Sequence, residues 1–147
     1  MRVLAIDPGS TESAWLLYDA KTHVIENFSI EANARCLNAI ESFAPRVNVV
    51  ACEMIACYGM AVGREVFDTC VWIGQFWHQA NCAGCPFRLV YRLDVKMHLC
   101  HNGRAKDPNI RAALIDRFGK DATSGIKTHL WSALAVAVTY ADKECAK

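Results

Sequence analysis

Short apolar runs of strand length alternate along this chain with longer stretches of helical spacing, and clusters of turn-forming residues separate them. Residues 2–7 (Arg-Val-Leu-Ala-Ile-Asp) read as a strand, with Pro8-Gly9-Ser10-Thr11 as the turn that follows. Residues 13–18 (Ser-Ala-Trp-Leu-Leu-Tyr) return as a second strand, residues 19–22 turn again, and the alternation over 23–30 gives a third. These three make an antiparallel meander. From Glu31 to Phe43 the spacing of Ala34, Leu37, Ile40 and Phe43 predicts a helix that Pro45 stops. Residues 47–52 (Val-Asn-Val-Val-Ala-Cys) are mostly apolar and β-branched, the mark of a central strand covered on both faces, and the run ends on Glu53.

Tyr58-Gly59-Met60 reads as a loop, and residues 62–80 as a long helix with Val66, Cys70, Ile73 and Trp77 on one side. Residues 86–91 give a fifth strand. Helices follow near 94–101 and 108–118, separated by Asn102-Gly103, and a last one spans 127–142, where the small residues of Ala133-Leu134-Ala135-Val136-Ala137-Val138 suit close packing on a sheet. The order βββαβαβααα predicts an α/β fold with a mixed five-stranded sheet.

Two of the most apolar strands end on acids, Asp7 and Glu53. A helical crossover would lay the 47–53 strand parallel to the first, so both carboxylates would emerge at one sheet edge, on strands about 4.8 Å apart. Two such acids repel unless a hard cation sits between them, and a divalent ion such as Mg²⁺ takes oxygen ligands while holding a substrate phosphate. Taken singly, Asp7 also fits a turn-capping role toward the amides near Gly9, and Glu53 a surface acid.

A length of 147 residues and 53% hydrophobic content predict one domain, residues 1–147, with a substantial core. No stretch has the apolar length of a membrane span or the layout of a signal peptide, so the expectation is a cytoplasmic protein that does not engage membranes. The eight cysteines read as reduced, mostly packed thiols. Cys82-x-x-Cys85 with Cys100-His101 downstream tempts a zinc reading, but adjacent Cys and His rarely reach one tetrahedral ion. The net charge of +1 hides a split: residues 1–85 hold 5 Lys/Arg against 9 Asp/Glu, whereas residues 86–127 hold 9 against 4. That basic segment is either a polyanion footprint or an ordinary solvated surface.

The first strand with its "IDPGS", Glu53 in "VVACEMI" and the closing "HLWSALAVAVTYA" together resemble the RuvC-like Holliday junction resolvases of the ribonuclease H-like superfamily, especially short bacteriophage forms. The resemblance implies a ribonuclease H-like fold and a homodimeric crossover junction endodeoxyribonuclease. It would bind branched DNA and nick four-way junctions symmetrically with two Mg²⁺ ions, for which Mn²⁺ would substitute, and it would act in the cytoplasm, that of the bacterial host if phage-encoded. It matches Asp7 and Glu53 to catalytic metal ligands and places His129 and Ser132 where two further ligands stand three residues apart. His129 would be a third ligand or a proton carrier; alone it would read as a surface residue at a helix start. Ser132 is a weak neutral donor where the family has an acid. An inactivating substitution, a branch in which His129 and the phosphate suffice, or an acid from elsewhere such as Asp68 or Asp107 would account for it.

Val95-Lys96 and Gly103-x-Ala105 resemble the family's phosphate-contacting stretch, making Lys96, Arg104 and Lys106 candidates for DNA-backbone contacts. Tyr58 lies where the family probes the junction centre, and an aromatic there could stack on a base or pack on its own helix. Phe67, Val71, Trp72 and Phe76 give the 62–80 helix enough apolar surface for a dimer seam or a core position. Two rivals remain: a resolvase-like dimer that binds branched DNA without cutting, and a nucleotide-binding reading of "IDPGST", which resembles the phosphate hairpin of actin-like kinases. The latter needs two domains around a nucleotide, so no nucleotide cofactor is expected.

Overall fold

The computed structural model describes residues 1–147. Strands β1 (Arg2–Asp7), β2 (Glu12–Asp19) and β3 (Val24–Ala32) form the meander; helix α1 (Asn33–Phe43) and a 3₁₀ turn, Ala44–Arg46, lead to β4 (Val49–Met54). Helix α2 (Arg64–Cys82) connects to β5 (Phe87–Tyr91), and α3 (Arg92–Cys100), α4 (Asp107–Phe118) and α5 (Leu130–Cys145) complete the chain. The sheet order is β3-β2-β1-β4-β5, antiparallel at β1–β2 and β2–β3 and parallel at β1–β4 and β4–β5. It is the mixed five-stranded sheet with flanking helices that the sequence predicts.

Strand alternation sorts the side chains into two apolar layers. Val3 and Ala5 of β1 with Val49 and Ala51 of β4 pack against α5, and Val95 of α3 and Ile110 and Leu114 of α4 join that layer. Leu4, Ile6, Val50 and Cys52 point the other way, onto Cys36 and Ile40 of α1 and Ile73, Phe76 and Ala80 of α2. Helix α5 buries every residue from Ala133 to Thr139 because its small side chains let it lie directly on β1 and β2.

Element ends differ from the sequence reading by at most three residues. Strand β3 runs on to Ala32, pairing with Glu12, so α1 starts at Asn33 and not at Glu31. Helix α5 starts at Leu130, after a turn that holds Thr128 at φ 45°. The buried face of α2 is Thr69, Ile73, Phe76 and Ala80, rotated from the expected Val66, Cys70, Ile73 and Trp77. Trp77 covers Phe87 with one face of its ring, 5.4 Å between centroids, and leaves the rest exposed. All eight cysteines are free thiols, but only Cys36, Cys52 and Cys85 are buried, fewer than the sequence reading expects, because Cys57, Cys82 and Cys145 sit on a loop or at helix ends; exposed Cys82 lies against His78, Sγ to Nε2 3.5 Å.

Candidate functional site

The turn after β1 owes its shape to a glycine and two buried polar side chains. A Cβ at Gly9 would lie 2.2 Å from the carbonyl oxygen of Glu12, so only glycine allows this approach. The Gly9 amide donates to the Ser13 hydroxyl (3.1 Å), Ser13 donates to Asn33 Oδ1 (2.6 Å), and the Asn33 amide donates back to the Gly9 carbonyl (2.9 Å). The loop is thereby closed without the Asp7 carboxylate, which answers the turn-capping alternative.

Asp7 continues the face of Val3 and Ala5, and Glu53 that of Val49 and Ala51, so both project toward the α5 side of the sheet. Each lies one step beyond Ile6 and Cys52, the last paired residues of the parallel β1–β4 ladder. Both are largely buried, with side chains 13% and 11% exposed. The expected meeting of the two acids at one edge is thus what the backbone register produces. Burial is the first reason that the Asp7 carboxyl is pushed up from 3.8 to about 7; the nearby Glu53 charge adds to it, and His129 and Arg92 offset part.

His129 sits just ahead of α5 and is 70% exposed, with Nδ1 2.9 Å from Asp7 Oδ2. The left-handed backbone at Thr128, costly for a β-branched residue, sets the direction from which it arrives. Ser132, one turn further, lines the same cavity of about 540 Å³ as His129, together with Arg92, Asp107, Arg111 and Trp131. Arg111 lies over the Trp131 ring at 5.0 Å.

The residue that sequence reasoning missed is Arg92. It opens α3 directly after β5, the strand beside β4, and its Nη1 donates to Glu53 Oε1 at 3.1 Å while Nη2 donates to Asp107 Oδ1. Asp107, considered as a replacement acid, therefore reaches the site through a guanidinium. Asp68 pairs with Arg64 on α2 at 3.5 Å. Asp142 is held by Arg117 (2.5 and 2.9 Å) and His98 (2.8 Å), a cluster that ties α3, α4 and α5 together.

Asp7 and Glu53 are hard oxygen donors in a desolvated setting, and that donor set fits one divalent cation. No three His, Cys, Asp or Glu side chains converge into a ready ligand cluster; His129 bonds to Asp7, and Arg92 pairs with Glu53.

Tyr58 is 66% exposed on the β4–α2 loop at φ 47°, so it does not pack on its own helix. Arg104 and Lys106 are exposed on the α3–α4 connection, whereas Lys96 on α3 is half-buried. On α2, Phe67 and Val71 are each 61% exposed, while Phe76 is fully buried and belongs to the core. No helix is long and apolar enough to cross a membrane.

Comparison by sequence finds no matching family model and no matching curated protein. Comparison of folds matches a Thermus thermophilus RuvC structure with a TM-score of 0.75 at 20% identity, over 99% of this chain and 96% of that one. The T. thermophilus RuvC in complex with a Holliday junction substrate matches with a TM-score of 0.72 at 22% identity, over 98% and 94%. From the first strand to the closing helix, the chain has the RuvC-like fold of the Holliday junction resolvases.

Proposed function

We propose that this chain is a structure-selective DNA endonuclease, a single nuclease domain that works as a homodimer and resolves four-way junctions and other branched DNA by paired nicks. The observation that carries the reading is the Asp7–Glu53 pair on one face of two parallel strand ends, with His129 against Asp7, in a fold shared with RuvC over nearly the whole chain. One of the RuvC structures with that fold is bound to a Holliday junction substrate, and the same class of substrate suits the basic segment here. DNA recombination and repair, in a bacterial or phage-infected cytoplasm, is the setting in which such an activity serves.

Asp7 and Glu53 would hold Mg²⁺, with Mn²⁺ as a substitute, and the ion would neutralise the scissile phosphate and polarise a water. The second ion expected from the sequence would have to draw its ligands from His129, the weak Ser132 hydroxyl and the phosphate. With Asp7 ionised, the hydrogen of His129 lies on Nδ1, which leaves Nε2 to accept a proton from the attacking water. The water oxygen bonds to phosphorus, the P–O3′ bond breaks, and the 3′ oxygen takes a proton from solvent, leaving a 5′ phosphate and a 3′ hydroxyl. Lys96, Arg104 and Lys106 would hold the arms by their backbones, and Tyr58, standing free on its loop, would stack at the branch point. The exposed Phe67–Val71 face of α2 would form the seam between two copies, setting two sites on opposite strands.

Ser132 favours one other reading, a dimer that holds branched DNA without cutting it. Labelled four-way junctions incubated with Mg²⁺ or Mn²⁺ separate the two. The endonuclease yields paired nicks that Glu53→Gln abolishes while binding persists; mobility shifts with no nicks in the unaltered chain would establish the binder.

A further inference from the structure

The geometry points to a single-ion centre, in which the Arg92 guanidinium stands where a second divalent cation would be needed and contacts the scissile phosphate. This inference rests on the endonuclease reading and concerns how that site is charged.

Three observations support it. First, the anionic groups are few. Asp7 and Glu53 are the carboxylates that end β1 and β4, the third expected acid position is Ser132, and Asp107 enters only across Arg92, while Glu12 and Glu65 line a second cavity beside His129. One dipositive ion would balance Asp7 and Glu53, and Arg92 balances Asp107, so the strand ends offer a second ion no further carboxylate.

Second, Arg92 is fixed. It is the first residue of α3, where β5 ends beside Glu53, and two different acids grip separate nitrogens of its fork. A guanidinium cannot be neutralised in a protein, so its charge is permanent. Pairing with Glu53 also sets a positive charge against the carboxylate that a second ion would need.

Third, the group is open to substrate. Arg92 is about one-third exposed and lines the same cavity as His129 and Ser132, and with two N–H directions committed to Glu53 and Asp107 the fork retains others for a phosphate oxygen. Arg92 is therefore a residue that both positions Glu53 and supplies charge at the reacting phosphorus.

Titrating the protein with Mn²⁺ alone, read by calorimetry and by electron paramagnetic resonance, tests this without relying on cleavage. One ion per chain with an uncoupled spectrum is expected. The doubly substituted Arg92→Ala/Ser132→Asp chain, with a carboxylate added and the guanidinium removed, should take up two ions with a spin-coupled signal. In junction cleavage, Arg92→Ala should lose roughly 100-fold in rate, as for a preorganised donor at a developing charge, with partial recovery in Arg92→Lys. Rate should rise with the first power of Mg²⁺ concentration in the unaltered chain. Two ions per unaltered chain with cleavage intact would overturn the single-ion centre and leave the endonuclease standing. No bound ion and no cleavage would remove both. Full activity in Arg92→Ala would also overturn it.

Discussion

Asp7→Asn should make this protein more stable at the same time as it makes it inert. Burial and the neighbouring Glu53 hold the Asp7 carboxyl at about 7, against an ordinary value of 3.8. The folded chain therefore binds this proton more tightly than the unfolded chain does. The resulting stability is complete below pH 4, falls away as pH rises from about 4 to about 7, and is absent above that range. A shift of about three units corresponds to about 4 kcal/mol at most. Relaxation and water entry on ionisation lower this to about 2–4 kcal/mol for the substitution at pH 8. Asparagine stays neutral at every pH and has nearly the same shape. For a chain of this size the variant should melt on the order of 5–10 °C higher than the unaltered protein at pH 8 in EDTA. At pH 4 the two should melt together. Thermal denaturation followed by circular dichroism at both pH values measures the difference. Added Mg²⁺ should raise the melting temperature of the unaltered protein and leave the variant unmoved, because a bound cation relieves the same repulsion. If Asp7→Asn melts no higher at pH 8, or gains equally at both pH values, Asp7 is not the strained acid of a cation site.

Replacing Lys96, Arg104 and Lys106 together with alanine should weaken junction binding without changing its shape preference and lower the logarithmic salt slope by about two to three, measured by fluorescence anisotropy over a salt series. Tyr58→Ala should cost about 1–3 kcal/mol in affinity for a four-way junction and much less for a linear duplex, since stacking requires an unpaired base. Phe67→Glu with Val71→Glu should convert dimers to monomers in sedimentation analysis while circular dichroism stays unchanged, because both side chains already face solvent in the single chain. Asn33→Ala should destabilise the fold by about 1–3 kcal/mol in urea denaturation, since it leaves Ser13 and the Gly9 carbonyl without their buried partner.

The sheet was legible in the sequence because strand alternation and turn residues are local signals. Asp7 and Glu53 were legible because each breaks an apolar run that otherwise has every reason to continue. Arg92 was not: in the sequence it falls between the strand over 86–91 and the helix expected near 94–101, one basic residue among several in its segment, and its partner Glu53 is 39 positions away. The Ser13–Asn33 bond was hidden for the same reason, as both residues read as ordinary polar ends of elements and only the extra length of β3 brings them together. The face of α2 was misassigned because tryptophan on a helix reads as core, whereas Trp77 covers Phe87 from the side and remains half in water. Periodicity reports which side chains avoid solvent, but it carries no information about which distant neighbour a long side chain will meet.

The odd-numbered residues of the first and fourth strands all look toward the closing helix, and their even-numbered neighbours look away from it. Inserting or deleting one residue within either strand would turn its terminal acid through half a revolution into the hydrocarbon packed beneath α2. Exposed loops away from the Gly9 and Thr128 turns can change length at little cost, whereas these two segments tolerate changes of side chain but not of count. The spacing from Val3 to Asp7 and from Val49 to Glu53 is thus a frame that any working descendant of this chain has to keep.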